Sequence, residues 1–258
     1  MAYPDYMDYK IATSRGLVED GKVVKSFFKF ARSSVLSTAN ITIWSKNTLY
    51  SFLASSSNLI IASDRNTDAT AGADANCITI QGLDNDYKEI EETVALSGFT
   101  AKTTTNDFLR INRIIVNSSG ANNTNLGKIS VLPDIAANTF TAAGVPTSTA
   151  NVIGEILSVT SQTLQGVYTV PATFTAYLME QHVSSAITKN ITIELFARPL
   201  GETFQIKSNV AFKDNTIDKS FSPPLKFAPK TDMEFRGRSS STAGNVALEF
   251  NMILAQGD

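Results

Sequence analysis

The chain contains one histidine, His182, the residue type best suited to general-base or metal chemistry near neutral pH. It lies in the run YLMEQHVSS, whose pattern places it on one face of a strand. A two- or three-histidine metal site needs further histidines, and nucleophilic catalysis needs a serine motif such as the nucleophile elbow, which is missing from this run. We therefore predict a structural or surface histidine.

Five carboxylates lie close together in the first half of the chain: Asp84, Asp86, Glu89, Glu91 and Glu92. Oxygen ligands of this type suit calcium, but calcium loops have D-x-D-x-D-G spacing with a glutamate after it, and this segment does not. A hairpin turn followed by a solvated strand face explains the same residues. We predict no metal ligand here, with calcium binding as the alternative.

The single cysteine, Cys77, lies in the run NCITI. One cysteine forms neither an internal disulfide nor a C-x-x-C pair, and no neighbouring His, Lys or Arg lowers its pKa, so we predict a small core residue. The sequence has no P-loop and no G-x-G-x-x-G, and so no candidate phosphate or cofactor site. Two acids distant in the chain could still meet for sugar hydrolysis, but no pair stands out. We predict no catalytic residue, cofactor or small-molecule substrate.

The charge balance argues against a nucleic-acid partner. The 258 residues carry 22 Lys and Arg against 24 Asp and Glu, a formal charge of −2. A nucleic-acid binder has a basic surface. The basic residues are also spread along the chain, and we predict ordinary surface or interface contacts for them: Arg110, Arg113, Lys226, Lys230, Arg236 and Arg238.

No segment of the sequence indicates a membrane or an export signal. The first residues, MAYPDYMDYK, lack the apolar run of a signal peptide. The apolar stretches elsewhere are far shorter than the roughly twenty residues that span a bilayer. We therefore expect synthesis in the cytoplasm and no membrane partner.

Apolar residues alternate with polar ones along most of the chain, which is the period of a half-buried strand. The alternation is clearest from Val246 to Leu254, and it recurs from Ile191 to Leu195. In FLRINRIIVN it changes phase near Asn112 and Arg113, as at a β-bulge. The prediction is an all-β fold.

Turn residues divide the strands into two predicted β-sandwich modules. We expect an extended N-terminal arm and lead-in strand over residues 1–36, an N-terminal sandwich over 37–133, a connection over 134–152 and a C-terminal sandwich over 153–258. Predicted turns include 82–86, 199–202 and 213–215. Pro223 and Pro224 mark a strand start or a sheet edge, since proline cannot donate to a ladder. The strand order stays open between jelly-roll and immunoglobulin-like.

Two stretches resemble a family of virion proteins from tailed phages of the marine and cyanophage type. Residues 75–131 are similar to a recurrent "GLD-x-x-Y-x-E-I-x-E-T-V" pattern followed by "F-x-R-I-x-R". Residues 166–241 resemble the C-terminal module of the same proteins, with a VPA turn, an "R-P-x-G-x-x-F" hairpin and a "P-L-K-F-x-x-K-T-D" strand start.

This resemblance implies a virion structural protein without enzymatic activity. Two-module β proteins of this size resemble capsid cement or decoration proteins, which often form trimers on the capsid surface with a jelly-roll-type sandwich. The implied partners are the major capsid protein and further copies of the chain as a homotrimer, and the implied location is the capsid surface of the virion after synthesis in the host cytoplasm. The arm, residues 1–21, is expected to reach a neighbour.

Two alternatives stay open beside the cement protein. A tail, adaptor or fibre-knob protein of the same virion fits the same resemblance, although the chain has no heptads or repeats for a fibre shaft. A carbohydrate-binding or hydrolytic β-sandwich is the other alternative. It needs aromatic residues exposed over a groove, and one tryptophan with seven tyrosines offers few of them.

Overall fold

The computed structural model describes residues 23–241 and 244–256, apart from the side chains of residues 186–188 and 214. Within this part of the chain the regular structure is almost entirely antiparallel β-strand, with one short 3₁₀ turn at Thr149–Asn151. The all-β prediction is confirmed. None of the described helical segments has the length and apolarity required to cross a bilayer.

The chain divides into two compact units, each described by itself. The central unit is Tyr50–Leu164, and the terminal unit combines Met1–Leu49 with Gln165–Asp258. Strands of the central unit are β3 (Leu59–Ser63), β4 (Ala75–Leu83), β5 (Glu89–Ala95), β6 (Lys102–Thr103), β7 (Arg110–Ser119), β8 (Ile129–Pro133) and β9 (Gly154–Ile156). Strands of the terminal unit are β1 (Val24–Ser33), β2 (Ile41–Thr42), β10 (Val167–Thr169), β11 (Phe174–Arg198), β12 (Gln205–Phe227), β13 (Asp232–Ser239) and β14 (Val246–Gln256).

The central unit is a β-sandwich of two sheets. One sheet has the order β6-β3-β8-β9 and the other has the order β5-β4-β7. A single apolar core contains residues of both sheets, including Ile61 and Val131 from the first and Ile78, Ile80 and Ile114 from the second. Each sheet therefore buries one face against the other. Strands β3, β8 and β9 are buried along their whole length, whereas the short β6 is exposed.

The terminal unit contains one seven-stranded sheet organised around β11. Strand β12 pairs with β11 along one edge. On the other edge, β14 pairs with residues 174–184 and β13 pairs with residues 191–198. Strand β1 extends the first half through β14, and β10 and β2 extend the second half through β13. This order is the one that the sequence left open.

The two halves of this sheet fold over each other to form a sandwich. Phe27 of β1 packs on Tyr168 of β10 at 4.5 Å between ring centroids, although the two strands lie at opposite ends of the hydrogen-bonded order. Phe235 of β13 and Phe250 of β14 pack in the core in the same way, at 4.8 Å. The buried Lys29 donates from β1 to the Val167 carbonyl of β10. Contacts between strands that do not pair require two layers.

Strand β12 bends with the sheet. The Lys219 ammonium donates to Ser208 Oγ at 2.9 Å and to the Asn209 carbonyl at 3.1 Å. Residues 208 and 219 would lie roughly 36 Å apart along a straight strand, because each residue adds about 3.3 Å. The contact therefore shows that the two halves of β12 lie opposite each other.

The pairing register confirms two local predictions. Strand β14 alternates buried and half-buried residues from Val246 to Met252, as the sequence pattern requires. In the β4–β7 pair, Gln81 lies opposite Arg113 and Gly82 lies opposite Ile111, so the intervening Asn112 is the extra residue of a bulge.

The predicted domain boundaries differ from the observed division. Residues 134–152 do not connect two units but belong to the central unit, and β9 pairs with β8 there. Residues 24–33 form β1, which pairs with β14, so both of these strands belong to the terminal unit. Most of the predicted arm, residues 1–22, lies outside the described residues. These pairings join segments far apart in sequence, and no local pattern reveals them.

The turn predictions are correct at two places and wrong at one. Residues 84–88 connect β4 and β5, and residues 199–204 connect β11 and β12. The segment 213–215 lies within β12, where Lys213 pairs with Asn190 and Asn215 with Ser185. Its turn residues mark the bend of a continuous strand. Pro223 and Pro224 lie in β12, an edge strand, as expected for residues that cannot donate to a ladder.

Candidate functional site

His182 lies on the outer face of the terminal unit, in the β11 row between Asp218 of β12 and Glu249 of β14. Its Nδ1 contacts the Asp218 carboxylate, and both side chains are accessible, at 42% and 79%. The pair lines a shallow groove of about 240 Å³. Exposed ion pairs contribute little to stability because water screens them. The geometry is that of a surface histidine.

The clustered carboxylates accept hydrogen bonds from the turns around them. Asp84 Oδ1 accepts the backbone N–H groups of Asp86 and Lys88, both at 2.9 Å, and so shapes the turn before β5. Glu92 accepts the backbone N–H groups of Thr105 and Asn106 at 2.7 and 2.8 Å. Across residues 23–241 and 244–256, no three His, Cys, Asp or Glu side chains are placed to hold a metal ion.

Cys77 is half-buried, contrary to the predicted core position. Its Sγ lies 3.0 Å from Ser118 Oγ of β7. The register of the β4–β7 pair shifts on both sides of Cys77, which interrupts the alternation that places Ala75 and Ile78 in the core. The sequence window gave no signal of this irregularity.

Arg110 is buried, which corrects the prediction of a surface or interface contact. The residue lies on β7 of the central unit and is only 7% exposed. Nη1 donates to the carbonyls of Leu53 and Leu109 at 2.8 and 2.9 Å. The guanidinium lies 5.2 Å from the Phe52 ring centroid and 5.5 Å from that of Tyr87. Cation–π contacts of this kind are strongest where water is excluded.

The residues around Arg110 are those of the GLD-x-x-Y and F-x-R patterns. A Cβ on Gly82 would lie 2.2 Å from the Arg110 carbonyl oxygen, so only glycine permits β4 and β7 to approach here. Tyr87 has a φ of 65° and follows a turn that its N–H closes on the Asp84 carbonyl. We call Gly82, Tyr87 and Arg110 the central brace.

Two buried aspartates hold the long loop between β3 and β4. Asp68 accepts hydrogen bonds from Ser63 Oγ at 2.6 Å, from Gly127 N at 2.9 Å and from Ala75 N at 3.1 Å. Burial raises the pKa of Asp68, because these hydrogen bonds only partly offset the loss of hydration. No sequence motif pointed to this residue.

Asp74 is equally buried, but its pKa shifts in the opposite direction. Burial also acts to raise it, but hydrogen bonds from Thr67, Asn122 and Arg65 outweigh that effect and lower the pKa of Asp74 below 3.8. The Asn122 amide donates at 2.6 Å and Arg65 Nε at 3.0 Å. The two aspartates thus join the β3–β4 loop to the β7–β8 loop.

The terminal unit has its own brace, built from the R-P-x-G-x-x-F and K-T-D patterns. Arg198 Nη2 donates to the buried carboxylate of Asp232 at 2.6 Å, and Thr169 Oγ1 donates to the same carboxylate at 2.7 Å. The Arg198 guanidinium lies 4.5 Å from the Phe204 ring centroid. We call Arg198, Phe204 and Asp232 the terminal brace. Its contacts tie the β11–β12 hairpin to β13 and β10.

Arg236 repeats this arrangement one strand away. Its Nη2 donates to Glu234 at 2.7 Å, and its guanidinium lies 4.3 Å from the Phe196 ring. The side chain is 20% exposed, so the prediction of an ordinary surface contact is corrected here too. Arg238 lies 3.5 Å from Glu194 and remains 45% exposed, close to the predicted surface role. Arginine charges along this face are matched by carboxylates.

Comparison with known proteins gives little further information. No family model matches the chain, and no curated protein matches it. Among solved structures, the infectious bursal disease virus VP2 subviral particle is similar over 92% of this chain and 77% of that chain, at 8% identity and a TM-score of 0.21.

Two further structures give comparable values. A Parabacteroides distasonis protein described as secreted is similar over 93% of this chain and 90% of that chain, at 10% identity and a TM-score of 0.20. The T13 particle of infectious bursal disease virus is similar over 91% of this chain and 73% of that chain, at 9% identity and a TM-score of 0.21. TM-scores of this size indicate neither a shared fold nor a shared function.

Proposed function

We propose that the chain is a structural virion protein of a tailed bacteriophage, and that it acts as a capsid cement protein without catalysis. Its partners are the major capsid protein and further copies of itself in a homotrimer on the capsid surface. The observation that supports this proposal is that the residues that carry the resemblance make internal contacts. Tyr87 and Arg110 belong to the central brace, and Arg198, Phe204 and Asp232 form the terminal brace.

Residues that a family shares for catalysis would be expected in a cleft with unused hydrogen-bonding capacity. The residues that carry the resemblance in this chain instead make internal contacts. Arg110 is buried against carbonyls and rings, and the Asp232 carboxylate accepts from both Arg198 and Thr169. A protein whose shared residues maintain its shape is suited to presenting that shape to partners.

A cement protein stabilises a capsid by binding the assembled shell more tightly than its separate subunits. Rigid contact surfaces favour such binding, because little conformational freedom is lost on docking. The hairpin after β11 is one such surface. Leu200 and Ile206 are 57% and 54% exposed beside the terminal brace. We assign the capsid contact to this hairpin.

The experiment is an add-back assay with expanded capsids that lack the protein. Purified chain should bind them saturably and raise their thermal disruption temperature, and a Leu200→Asp/Ile206→Asp variant should bind at least tenfold more weakly. The control is Val159→Asp, at a residue 64% exposed in the central unit. Binding to purified tails in place of capsids would move the assignment to the tail or adaptor alternative. Binding to neither would reject both.

A further inference from the structure

Strand β12 presents a long edge to solvent. It pairs with β11 on one side, and no strand within residues 23–241 and 244–256 pairs with its other side. The backbone N–H and C=O groups of an unpaired edge bind another strand readily, and natural proteins usually block or cover such edges. Strand β12 spans 23 residues, but its ladder with β11 shifts register, so its edge consists of shorter regular stretches, of which 208–213 and 215–220 are the longest.

The side chains along this edge leave apolar surface uncovered. Ile217, Phe221 and Leu225 pack against the core of the terminal unit but are only partly buried. Strand β1 closes the opposite side of the sandwich through the contact of Phe27 with Tyr168. The sandwich is therefore apolar at its β12 side, where a further strand could complete it.

The edge also carries an excess of positive charge. Four lysines lie on β12, against two aspartates: Lys207, Lys213, Lys219 and Lys226 against Asp214 and Asp218. One of the two acids, Asp218, already contacts His182. Lys213 and Lys226 are exposed on the described surface. An acidic, aromatic strand would complement this edge in both charge and apolar character.

Such a strand exists within the same sequence. The segment Tyr-Pro-Asp-Tyr-Met-Asp-Tyr, residues 3–9, supplies three tyrosines, one methionine and two aspartates, and it has no lysine or arginine. We propose that residues 3–9 of one copy add as a strand to the free edge of β12 in a second copy. The proposal concerns assembly of the chain with itself, so it does not depend on the capsid as the final partner.

The position of Val23 favours a second copy over the same copy. The Val23 carbonyl accepts from Gln256 N at 2.9 Å, at the end of the sheet where β12 also ends. If the chain is traced back from Val23 to the β12 edge of the same copy, residues 3–9 would run parallel to β12. Every strand pair in the described chain is antiparallel, and parallel pairing is slightly less stable.

The distance also permits docking between copies. The fourteen residues from Tyr9 to Val23 span up to about 46 Å when extended, enough to reach an adjacent molecule. An arm of one copy on the edge of the next is a heterologous contact, which forms a closed ring when the rotation between copies allows it. Three copies linked in this way would form the proposed homotrimer.

A charge-exchange experiment on the full chain tests the proposal. One variant carries Asp5→Lys and Asp8→Lys, and the second carries Lys213→Glu alone, because Lys226 lies about 43 Å further along β12, beyond the reach of a seven-residue strand. Self-association is measured by sedimentation at low salt, with circular dichroism to verify folding. Each variant alone should associate at least tenfold more weakly than the parent chain. The two variants mixed in equal amounts should associate more strongly than either variant alone, because the arm of one matches the edge of the other at two of the three contacts in a mixed ring.

The matched control is Arg32→Glu with Lys102→Glu, which reverses two exposed charges away from β12 and should associate like the parent. A monomeric parent chain at every concentration would reject the proposal. So would equal weakening in the control, or a chain with both sets of substitutions that associates no better than either variant alone, because in that chain every arm again matches every edge. Capsid binding by a chain that stays monomeric would leave the cement function standing and reject only the arm contact.

Discussion

The two units bury their carboxylates in different surroundings. In the central unit, Asp68 and Asp74 accept several hydrogen bonds from loop groups, whereas in the terminal unit Asp232 and Glu234 each pair with an arginine that stacks on an aromatic ring. The first arrangement depends on the ionisation of acids that accept from backbone and side-chain donors. The second relies on arginine, which stays charged at any ordinary pH. The two units should therefore respond differently to an added methyl group at a buried glycine, to the loss of a charge and to a change of pH.

The largest expected difference comes from adding one methyl group to a glycine in each unit. At Gly82 the new Cβ would meet the backbone of Arg110 at 2.2 Å, whereas at Gly237 it would meet the side-chain ends of Ile43 and Ile193 at 2.6 and 2.8 Å. Backbone cannot move aside as readily as a side chain. We expect Gly82→Ala to cost about 3 kcal/mol or more and Gly237→Ala about 1–2 kcal/mol.

Urea unfolding followed by circular dichroism measures both free energies of unfolding. The single tryptophan, Trp44, is buried in the terminal unit and reports separately on that unit by fluorescence. Equal losses at the two glycines would contradict the close backbone approach at Gly82.

Removal of the charge from the central brace should have the next largest effect. Arg110→Met keeps apolar bulk but leaves the Leu53 and Leu109 carbonyls without their donor. Hydrogen bonds from charged groups contribute about 1.5–3 kcal/mol each, so we expect a loss of about 3 kcal/mol in unfolding free energy. Lys102→Met, at an exposed position in the same unit, is the control and should cost less than about 1 kcal/mol. A loss at Arg110 no larger than at Lys102 would reject the brace.

These first two experiments concern features that the sequence revealed unevenly. The strand period located β14, and the phase change located the bulge at Asn112, because both signals are local. The burial of Arg110 was missed because its acceptor at Leu53 lies 57 residues away. Asp68 was missed for the same reason, since its donor at Gly127 is 59 residues distant. A charged residue on a strand is predicted to lie at the surface when its partners, distant in sequence, are not known.

Acid should weaken the central unit through Asp74. The pKa of this carboxyl is lowered on folding, so its contribution to stability is complete above the unfolded value of 3.8 and is lost as the pH falls through the folded pKa. Asp74→Asn should therefore flatten the decline of the unfolding midpoint between about pH 4 and pH 2. The exposed Asp107→Asn should leave that decline unchanged. An Asp74→Asn chain that keeps the full parental decline would contradict this assignment.

Asp68 should act with the opposite sign. Its pKa is raised on folding, so its contribution is complete below 3.8 and is lost as the pH rises through the folded pKa. Asp68→Asn lowers stability overall because the amide NH2 group then faces at least one of the former donors, but it should remove this loss on the alkaline side. The measurement is the difference in unfolding midpoint between variant and parent across about pH 4–7. A difference that does not vary with pH would show that Asp68 does not titrate there.

The smallest effect is expected at the exposed pair of His182 and Asp218. Substitution His182→Ala should change the unfolding free energy by less than about 0.5 kcal/mol, because the pair is solvated. Thermal unfolding at pH 7 is sufficient to measure this. A loss above about 2 kcal/mol would contradict the solvated pair and would mean that His182 stabilises the fold.

The proposed role is that of a structural part of a virion shell, with each unit held in shape by its own brace. A cryo-EM map of the virion that carries the chain tests this claim most directly. The predicted result is density for both sandwiches on the outer capsid surface, around junctions between major-capsid subunits. Density confined to the tail, or no density for the chain in the particle, would contradict it.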